Sequence, residues 1–249
     1  MGIDLSKKVE AARIVLEKKN ILGVQADVVF AIDKSGSMWE EYNDGTVQEL
    51  VTRMLGIAMN IDPNKSVDVY QFNSGSQHIG LATESNYANF VREKRMSVDG
   101  GTNYAPVMKQ IIAEHGTPLK GNVDPVKRKG LFGGLFKKKA VEPTNPIVAK
   151  KNPLLVIFIT DGSNFDEAEA EKVIYEAAEQ PIFWQFVGIG NEKFEFLKKL
   201  DDLAGRYIDN ADFFPVKDIK KASDEELYNS LLTEFPKWLE EAKTKGLVL

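Results

Sequence analysis

The sequence predicts an α/β fold, in which a doubly wound, mostly parallel central sheet carries helices on both faces and one antiparallel strand at an edge. Short runs rich in β-branched and aromatic residues alternate with amphipathic segments, which is typical of this class. The run 154–160 (LLVIFIT) is almost entirely apolar, as a central strand covered on both faces should be. The 249 residues show no internal repeat and suffice for one large core. We expect a single domain over 1–249 whose core spans about 27–209.

The predicted strands are short segments rich in Val, Ile, Phe or Tyr and bounded by turn residues. The turn Asn73-Ser74-Gly75 brings the third strand back beside the second, so we expect the third to be the antiparallel edge. Helical segments separate the others, which favours parallel pairing. Strands are predicted over 27–32, 66–72, 77–81, 154–160, 182–188 and 206–208.

The predicted helices follow from apolar residues that recur at helical spacing. Asp62-Pro63 should end the second helix, and Ser223 followed by Glu226 has the spacing of a capping box at the start of the last. Pro236 should kink or divide that last helix. Helices are predicted over 4–20, 44–60, 86–94, 104–114, 166–179, 192–203 and 223–243.

Composition excludes several classes of function. The chain has no cysteine, which rules out a disulfide scaffold, a thiolate metal site and a cysteine nucleophile. His78 and His115 are its two histidines, too few for a histidine-rich metal centre. The net charge of −5 makes a nucleic-acid partner unlikely by charge alone. The N-terminal segment lacks a signal-peptide core, and no apolar run is long enough for a bilayer, so we expect a cytoplasmic protein.

Oxygen-bearing side chains follow strand ends at two places and open a helix at a third. Asp33, Ser35 and Ser37 come directly after the first strand, and Asp161 ends the most apolar strand. Thr102 lies in a glycine-containing turn between them along the chain. The carboxyl ends of parallel strands meet at one edge of a sheet, where ligands bind. A set of carboxylates and hydroxyls without imidazole or thiol favours Mg²⁺, with Mn²⁺ or Ca²⁺ as alternatives.

This ligand set is short of negative charge for a divalent ion. Neutral hydroxyls with few carboxylates leave the ion partly positive and leave a coordination position open to an outside carboxylate or other anion. We therefore predict a non-enzymatic binding module, in which the metal bridges to an acidic group on a protein partner.

The motifs also carry a family resemblance. DKSGSM at 33–38, GGT at 100–102 and TDG at 160–162 resemble the three-part metal-ion-dependent adhesion site (MIDAS) of von Willebrand factor A (vWA) domains, with their Rossmann-like sheet. The resemblance covers roughly 27–209. It implies that Ser35, Ser37 and Thr102 ligate the ion directly, while Asp33 and Asp161 act through water and a partner acid completes the shell.

The resemblance also implies a narrower family and a context. The chain is similar to cytosolic vWA proteins of bacterial tellurium-resistance and general stress operons. The sequence does not indicate the oligomeric state.

The neighbours of these residues have modest expected roles. Lys34 should face solvent, and Asp99 should cap a turn. Met38 and Trp39 should pack or line the mouth of the site. His78 and His115 are expected at the surface or as capping residues.

The segment 116–151 departs from a compact domain of this type. It holds nine basic and two acidic residues, so the rest of the chain is strongly acidic. It is predicted to be a basic insertion. Two interpretations remain open: 126–140 docks on an anionic membrane or an acidic partner, or it folds back on its own domain. The docking candidates are two basic triplets and two Leu-Phe pairs: Lys127, Arg128, Lys129, Leu131, Phe132, Leu135, Phe136, Lys137, Lys138 and Lys139.

Two functions of other classes remain as alternatives. The first is a Mg²⁺-dependent phosphohydrolase with Asp33 as nucleophile, but Ser35 stands where such enzymes want a second acid. The second is a membrane-associated scaffold that docks through the basic Leu-Phe segment. Metal binding, phosphoester hydrolysis and vesicle binding discriminate the three.

Overall fold

The computed structural model describes residues 4–116, 143, 147 and 149–249. Its centre is a six-stranded sheet with the strand order β3-β2-β1-β4-β5-β6. The strands are β1 (Asp27–Asp33), β2 (Ser66–Phe72), β3 (Ser76–Thr83), β4 (Leu154–Thr160), β5 (Ile182–Ile189) and β6 (Ala211–Val216). β3 pairs antiparallel with β2, and all other neighbours are parallel. The predicted fold class is confirmed.

Helices flank this sheet along the described residues. They are α1 (Leu5–Lys18), α2 (Trp39–Asn43), α3 (Thr46–Ile61), α4 (Phe90–Glu93), α5 (Ala105–His115), α6 (Glu167–Ala177), α7 (Glu195–Asp201), α8 (Asp224–Leu231) and α9 (Phe235–Thr244). In the described part of the chain, no helix is both long and apolar enough to cross a membrane.

The core has two layers because side chains of a strand alternate between the faces of the sheet. In β1, Phe30 and Ile32 contribute to the layer beneath α1, α3, α8 and α9. Val29 and Ala31 contribute to the opposite layer, beneath α5, α6 and α7. Every residue of β4 is buried, as its apolar sequence predicts for a strand covered on both faces.

The predicted strand over 206–208 is wrong. The edge strand is β6, which begins at Ala211 and extends past the predicted core boundary. The Arg206 side chain is buried and donates to the main-chain oxygens of Asp201 and Leu203, so this stretch packs as a turn. Pro215 sits in β6, where an edge strand tolerates a residue without an N–H.

The predicted helix over 223–243 is divided. Ser223 and Glu226 form the predicted capping box at the start of α8. Pro236 lies in the first turn of α9, where the absent N–H leaves no helical hydrogen bond unmade. Pro236 therefore starts a new helix rather than bending the old one.

Candidate metal centre

Asp33 forms the floor of the site at the end of β1. Its side chain is completely buried. One carboxylate oxygen, Oδ1, accepts a hydrogen bond from the Ser35 N–H at 2.7 Å. The other, Oδ2, accepts from the Thr160 hydroxyl at the end of β4, also at 2.7 Å. The two neighbouring parallel strands therefore hold this carboxylate in one orientation.

A chain of oxygens runs from this floor towards solvent. The Ser35 and Ser37 Oγ atoms lie 3.1 Å apart. Ser37 Oγ donates to Oδ1 of Asp161 at 3.0 Å, so the turns after β1 and β4 meet directly. Ser35 is 3% exposed, whereas Ser37 is exposed, and the chain of oxygens consequently opens to solvent at Ser37.

The glycine-containing turn before α5 joins the same place. The Gly36 N–H donates to the main-chain oxygen of Gly100 at 3.3 Å. Gly100 has φ +72°, and a Cβ there would lie 3.0 Å from Nδ2 of Asn73, so the turn requires glycine. The Thr102 side chain is 7% exposed, and its main-chain oxygen accepts from the Phe165 N–H. The structure thus brings the three predicted turns together.

Tyr104 and Asp166 support the site, and sequence reasoning missed both roles. The buried Tyr104 hydroxyl donates to the main-chain oxygen of Gly162 at 2.7 Å. The Asp166 carboxylate accepts from the Tyr104 and Ala105 N–H groups at 2.9 and 2.8 Å. The first turn of α5 is therefore capped by the turn after β4. Asp166 precedes α6, so its position suggests a cap for that helix, and only the tertiary structure shows that it caps α5.

The expectation that Lys34 faces solvent is wrong. Its side chain is 16% exposed, and Nζ lies 2.7 Å from Oδ1 of Asp99. Asp99 also accepts from Nδ2 of Asn73, and the Lys34 ammonium is the main cause that lowers the pKa of Asp99. Asp99 is therefore occupied as the ion-pair partner of Lys34.

The site carries negative charge without a cationic partner. Among the described residues, no lysine or arginine forms an ion pair with Asp33 or Asp161. Burial raises the pKa of Asp33 to about 6, and burial also raises the pKa of Asp161. Both carboxylates are thus in surroundings that disfavour their charge, which a bound cation would relieve.

The donor set fits a hard cation. Adjacent ligands of an octahedral Mg²⁺ ion with bonds of about 2.1 Å lie about 3.0 Å apart. The Oγ atoms of Ser35 and Ser37 and the Oδ1 atom of Asp161 are spaced 3.1 and 3.0 Å along the chain of oxygens. These separations are hydrogen-bond distances, and they equal the edge of such an octahedron. The Ser35 and Ser37 oxygens are thus spaced as neighbouring ligands, and Asp161, which the resemblance places behind a water molecule, accepts a hydrogen bond from Ser37.

Two aromatic side chains stand exposed beside the site. Trp39 follows the first turn and is 61% exposed, and Phe165 follows the third and is 86% exposed. Met38 is fully buried. Met38 therefore packs in the core, which is one of the two expected roles. Trp39 instead faces solvent next to the site. The basic docking segment 126–140 lies outside the described residues.

The two histidines lie together near the carboxyl end of α5. The Tyr70 hydroxyl is 2.9 Å from Nε2 of His115, and Nε2 of His78 is 2.8 Å from Oδ1 of Asp68. Burial lowers the pKa of His115. Both histidines serve in a hydrogen-bond network of β2, β3 and α5.

The chain matches the family described as "vWA-TerF-like: vWA found in TerF C terminus" over residues 25–125 and 137–248. It belongs to this family. The predicted vWA resemblance is thereby confirmed. The chain is also 36% identical over 251 residues to "Uncharacterized protein YcbR" of Bacillus subtilis (strain 168), a match that covers 99% of this chain and 90% of that protein.

Two solved structures are similar to this chain, and the first of them shares its fold. Proximal thread matrix protein 1 from the mussel byssus, with a zinc-occupied MIDAS motif, superposes with a TM-score of 0.52 at 16% identity. The match covers 84% of this chain and 46% of the mussel protein. This chain therefore spans about half the length of that protein. The manganese-loaded TRAP protein of Plasmodium vivax matches with a TM-score of 0.49 at 15% identity, over 86% of this chain and 74% of that one.

Proposed function

We propose that this vWA domain is a non-enzymatic protein-binding module that holds a divalent cation, Mg²⁺ first, at Asp33, Ser35, Ser37, Thr102 and Asp161. The observation that carries the proposal is the chain of oxygens from Ser35 through Ser37 to Asp161, which Asp33 anchors through the Ser35 N–H. It opens to solvent, and no described lysine or arginine forms an ion pair with either carboxylate. The ion would supply a positive charge with a free coordination position, to which a carboxylate of a partner protein binds.

Burial determines which role each of these residues has in the proposed site. Asp33 is inaccessible and acts by fixing the turn, because both of its oxygens accept hydrogen bonds from protein groups. Ser37 and Asp161 lie at the opening, where a ligand from outside can reach. Trp39 and Phe165 offer apolar surface beside the charge, which favours a partner whose acidic residue has apolar neighbours.

Hydrolysis of phosphoesters is the weaker alternative. A nucleophilic carboxylate must reach its substrate, and Asp33 is fully buried with both oxygens engaged. Lys34, the cation nearest in sequence, is held by Asp99. Neither residue is placed to bind a phosphoryl group.

The family suggests the biological setting. The TerF-like description supports a role in a bacterial tellurium-resistance or stress-response system, in the cytoplasm, and we include this in the proposal. The chemistry of the site is independent of that setting.

Calorimetric titration with Mg²⁺, Mn²⁺ and Ca²⁺ tests the metal role. The Ser35→Ala/Ser37→Ala variant should bind Mg²⁺ at this site at least about 10-fold more weakly than the unmodified protein, because it loses two proposed ligand oxygens. Ser85→Ala is the matched control, since its hydroxyl shares a hydrogen bond with that of Thr83 near the opposite end of the sheet. Equal Mg²⁺ affinity in the double variant and the control would reject the proposal.

Partner binding is tested by affinity capture with and without EDTA. A partner that uses the metal should be lost with EDTA, with Asp161→Ala and with the double serine variant, and retained by Ser85→Ala. If the amount of captured partner changes neither with EDTA nor with the variants, metal bridging is contradicted, even if the metal itself binds.

A further inference from the structure

A second group of acidic side chains lies on the opposite flank of the sheet from β3. It consists of Asp201 at the end of α7, Asp212 in β6 and Glu234 immediately before α9. One carboxylate oxygen from each residue lies within 4.8 Å of the other two. The three segments are separate along the chain, so tertiary packing alone brings these charges together.

Nearby cations balance this group only in part. Lys19 acts to lower the pKa of Asp212, and Lys237 and Arg206 act to lower that of Glu234, but burial outweighs them. None of the three carboxylates takes part in an ion pair with a described lysine or arginine. The nearby guanidinium of Arg206 is committed elsewhere, because it donates to the main-chain oxygens of Leu203 and Asp201 and to the side chains of Asn210 and Asp209. Burial raises the pKa of Asp201 to about 7 and also raises that of Glu234.

Gln185 gives an independent indication of a ligand at this place. It pairs with Asp212 in the parallel register of β5 and β6, so both side chains project from the same face of the sheet. Its side chain is completely buried, and its amide nitrogen lies 3.3 Å from the main-chain oxygen of Asp212. Burial raises the pKa of Asp212, and a hydrogen bond from the Gln185 side chain opposes that shift. The amide nitrogen therefore lies at Asp212, one of the three acidic residues.

The Gln185 amide oxygen has no partner among the described residues. Oε1 is buried and accepts no hydrogen bond there. A buried amide oxygen is normally satisfied by a donor or a cation. The amide that carries this oxygen adjoins Asp212, and a cation is a partner that satisfies the amide oxygen and the three carboxylates together.

We propose that Asp201, Asp212, Glu234 and the amide oxygen of Gln185 form a second cation site, which binds a hard divalent ion of the Ca²⁺ type. Carboxylate and amide oxygens are the ligands such ions prefer. Oxygens on opposite sides of Ca²⁺, with bonds of 2.3–2.6 Å, lie about 4.6–5.2 Å apart. Three oxygens that lie within 4.8 Å of one another are close enough together to reach one such ion. An ion there fastens α7, β6 and the start of α9 to one another.

This site is separate from the proposed MIDAS. Asp212 is the second residue of β6, near the amino end of the sheet, whereas Asp33 and Asp161 lie at or just beyond carboxyl ends of strands. The second site can therefore be measured in the Ser35→Ala/Ser37→Ala background. Its failure there would leave the proposed function of the first site untouched.

The experiment combines calorimetry with thermal unfolding in that background. We expect about one equivalent of Ca²⁺ to bind and to raise the melting temperature. Adding Glu234→Gln or Asp201→Asn should weaken Ca²⁺ binding at least about 10-fold and abolish the rise. Glu167→Gln is the matched control, since it removes one exposed carboxylate from α6 and should change neither result.

A comparison in EDTA guards against variants that merely misfold. Neutralising one of three unpaired carboxylates relieves repulsion, so Glu234→Gln in EDTA should melt at or above the temperature of its parent. Its response to Ca²⁺ should nevertheless be lost. The proposal is overturned if neither Ca²⁺ nor Mg²⁺ binds to the serine double variant, or if Glu234→Gln and Glu167→Gln respond alike.

Discussion

The hydroxyl of Thr160 should make a large contribution to stability for a single hydrogen bond, because its acceptor is a buried carboxylate. Thr160 Oγ1 lies 2.7 Å from Oδ2 of Asp33, and both side chains are completely buried. Thr160→Val keeps the shape of the side chain and removes this donor. It also removes the acceptor of two longer contacts, from the Tyr104 hydroxyl at 3.3 Å and the Gly162 N–H at 3.4 Å, but the Tyr104 hydroxyl keeps its 2.7 Å bond to the Gly162 main-chain oxygen. A hydrogen bond to a charged group contributes about 1.5–3 kcal/mol. For a domain of this size, each kcal/mol shifts the melting temperature by about 2–4 °C, so the expected fall is about 3–12 °C.

Urea unfolding at pH 7.5 in EDTA measures this loss without a contribution from metal. Thr52→Val is the control, because the Thr52 hydroxyl donates to a neutral acceptor, the Gln48 main-chain oxygen inside α3. Thr52→Val should lower the free energy of unfolding by about 1 kcal/mol or less. The reasoning is refuted if Thr160→Val destabilises no more than Thr52→Val.

The sign of the pH dependence gives a second check on the same bond. The folded-state pKa of Asp33 is about 6, above its ordinary value, and the Thr160 hydrogen bond acts to lower it. The bond therefore favours the ionised form, and its loss costs most above pH 6. The difference in stability between Thr160→Val and the unmodified protein should shrink as the pH falls from 7.5 to 5. A difference that grows over this range would contradict the assignment.

Three further predictions concern packing, titration and the rim of the site. A Cβ at Gly188 would lie 2.8 Å from the ring of Phe194, so Gly188→Ala should lower the free energy of unfolding in urea by about 1–3 kcal/mol; an unchanged value would contradict the close packing. Burial lowers the pKa of His115, so stability should fall as the pH drops below about 6.5, less steeply in His115→Gln; identical pH profiles would exclude this residue. Trp39→Ser and Phe165→Ser should leave the melting temperature within about 2 °C and weaken metal-dependent partner capture; undiminished capture would remove the aromatics from the interface.

Local sequence could predict the convergence of the three turns because each lies beside a strand or helix whose own pattern is strong. The Asp33 and Asp161 turns follow buried apolar runs, and parallel strands place their carboxyl ends together. The prediction of an edge strand at 206–208 is wrong because the local pattern of the true edge strand, β6, is weak. Pro215 argues against a strand at 211–216, and only its position at the edge of the sheet makes it acceptable there.

The supporting contacts depend on the relative placement of segments far apart in sequence. Lys34 and Asp99 pair because the main chains of their two turns are themselves hydrogen-bonded, with the Asp99 N–H donating to the Lys34 oxygen at 2.8 Å. Asp166 caps α5 across 61 and 62 positions of sequence. Single-residue preferences favour capping by an Asp but do not determine which helix it caps.

The two carboxylate groups suggest that cations and stability are linked in this protein. At both places the fold buries carboxylates that form no ion pair with a described lysine or arginine, and burial disfavours their charge. A ligand that binds the folded state alone stabilises it by about 2.7 kcal/mol at 100 times its Kd. Two independent sites would contribute separately, because contributions from distant sites usually add. Removing the ligands of one site should therefore abolish the stabilisation that a cation gives at that site and leave the stabilisation at the other site. A general effect of ionic strength would instead persist in the variants of both sites.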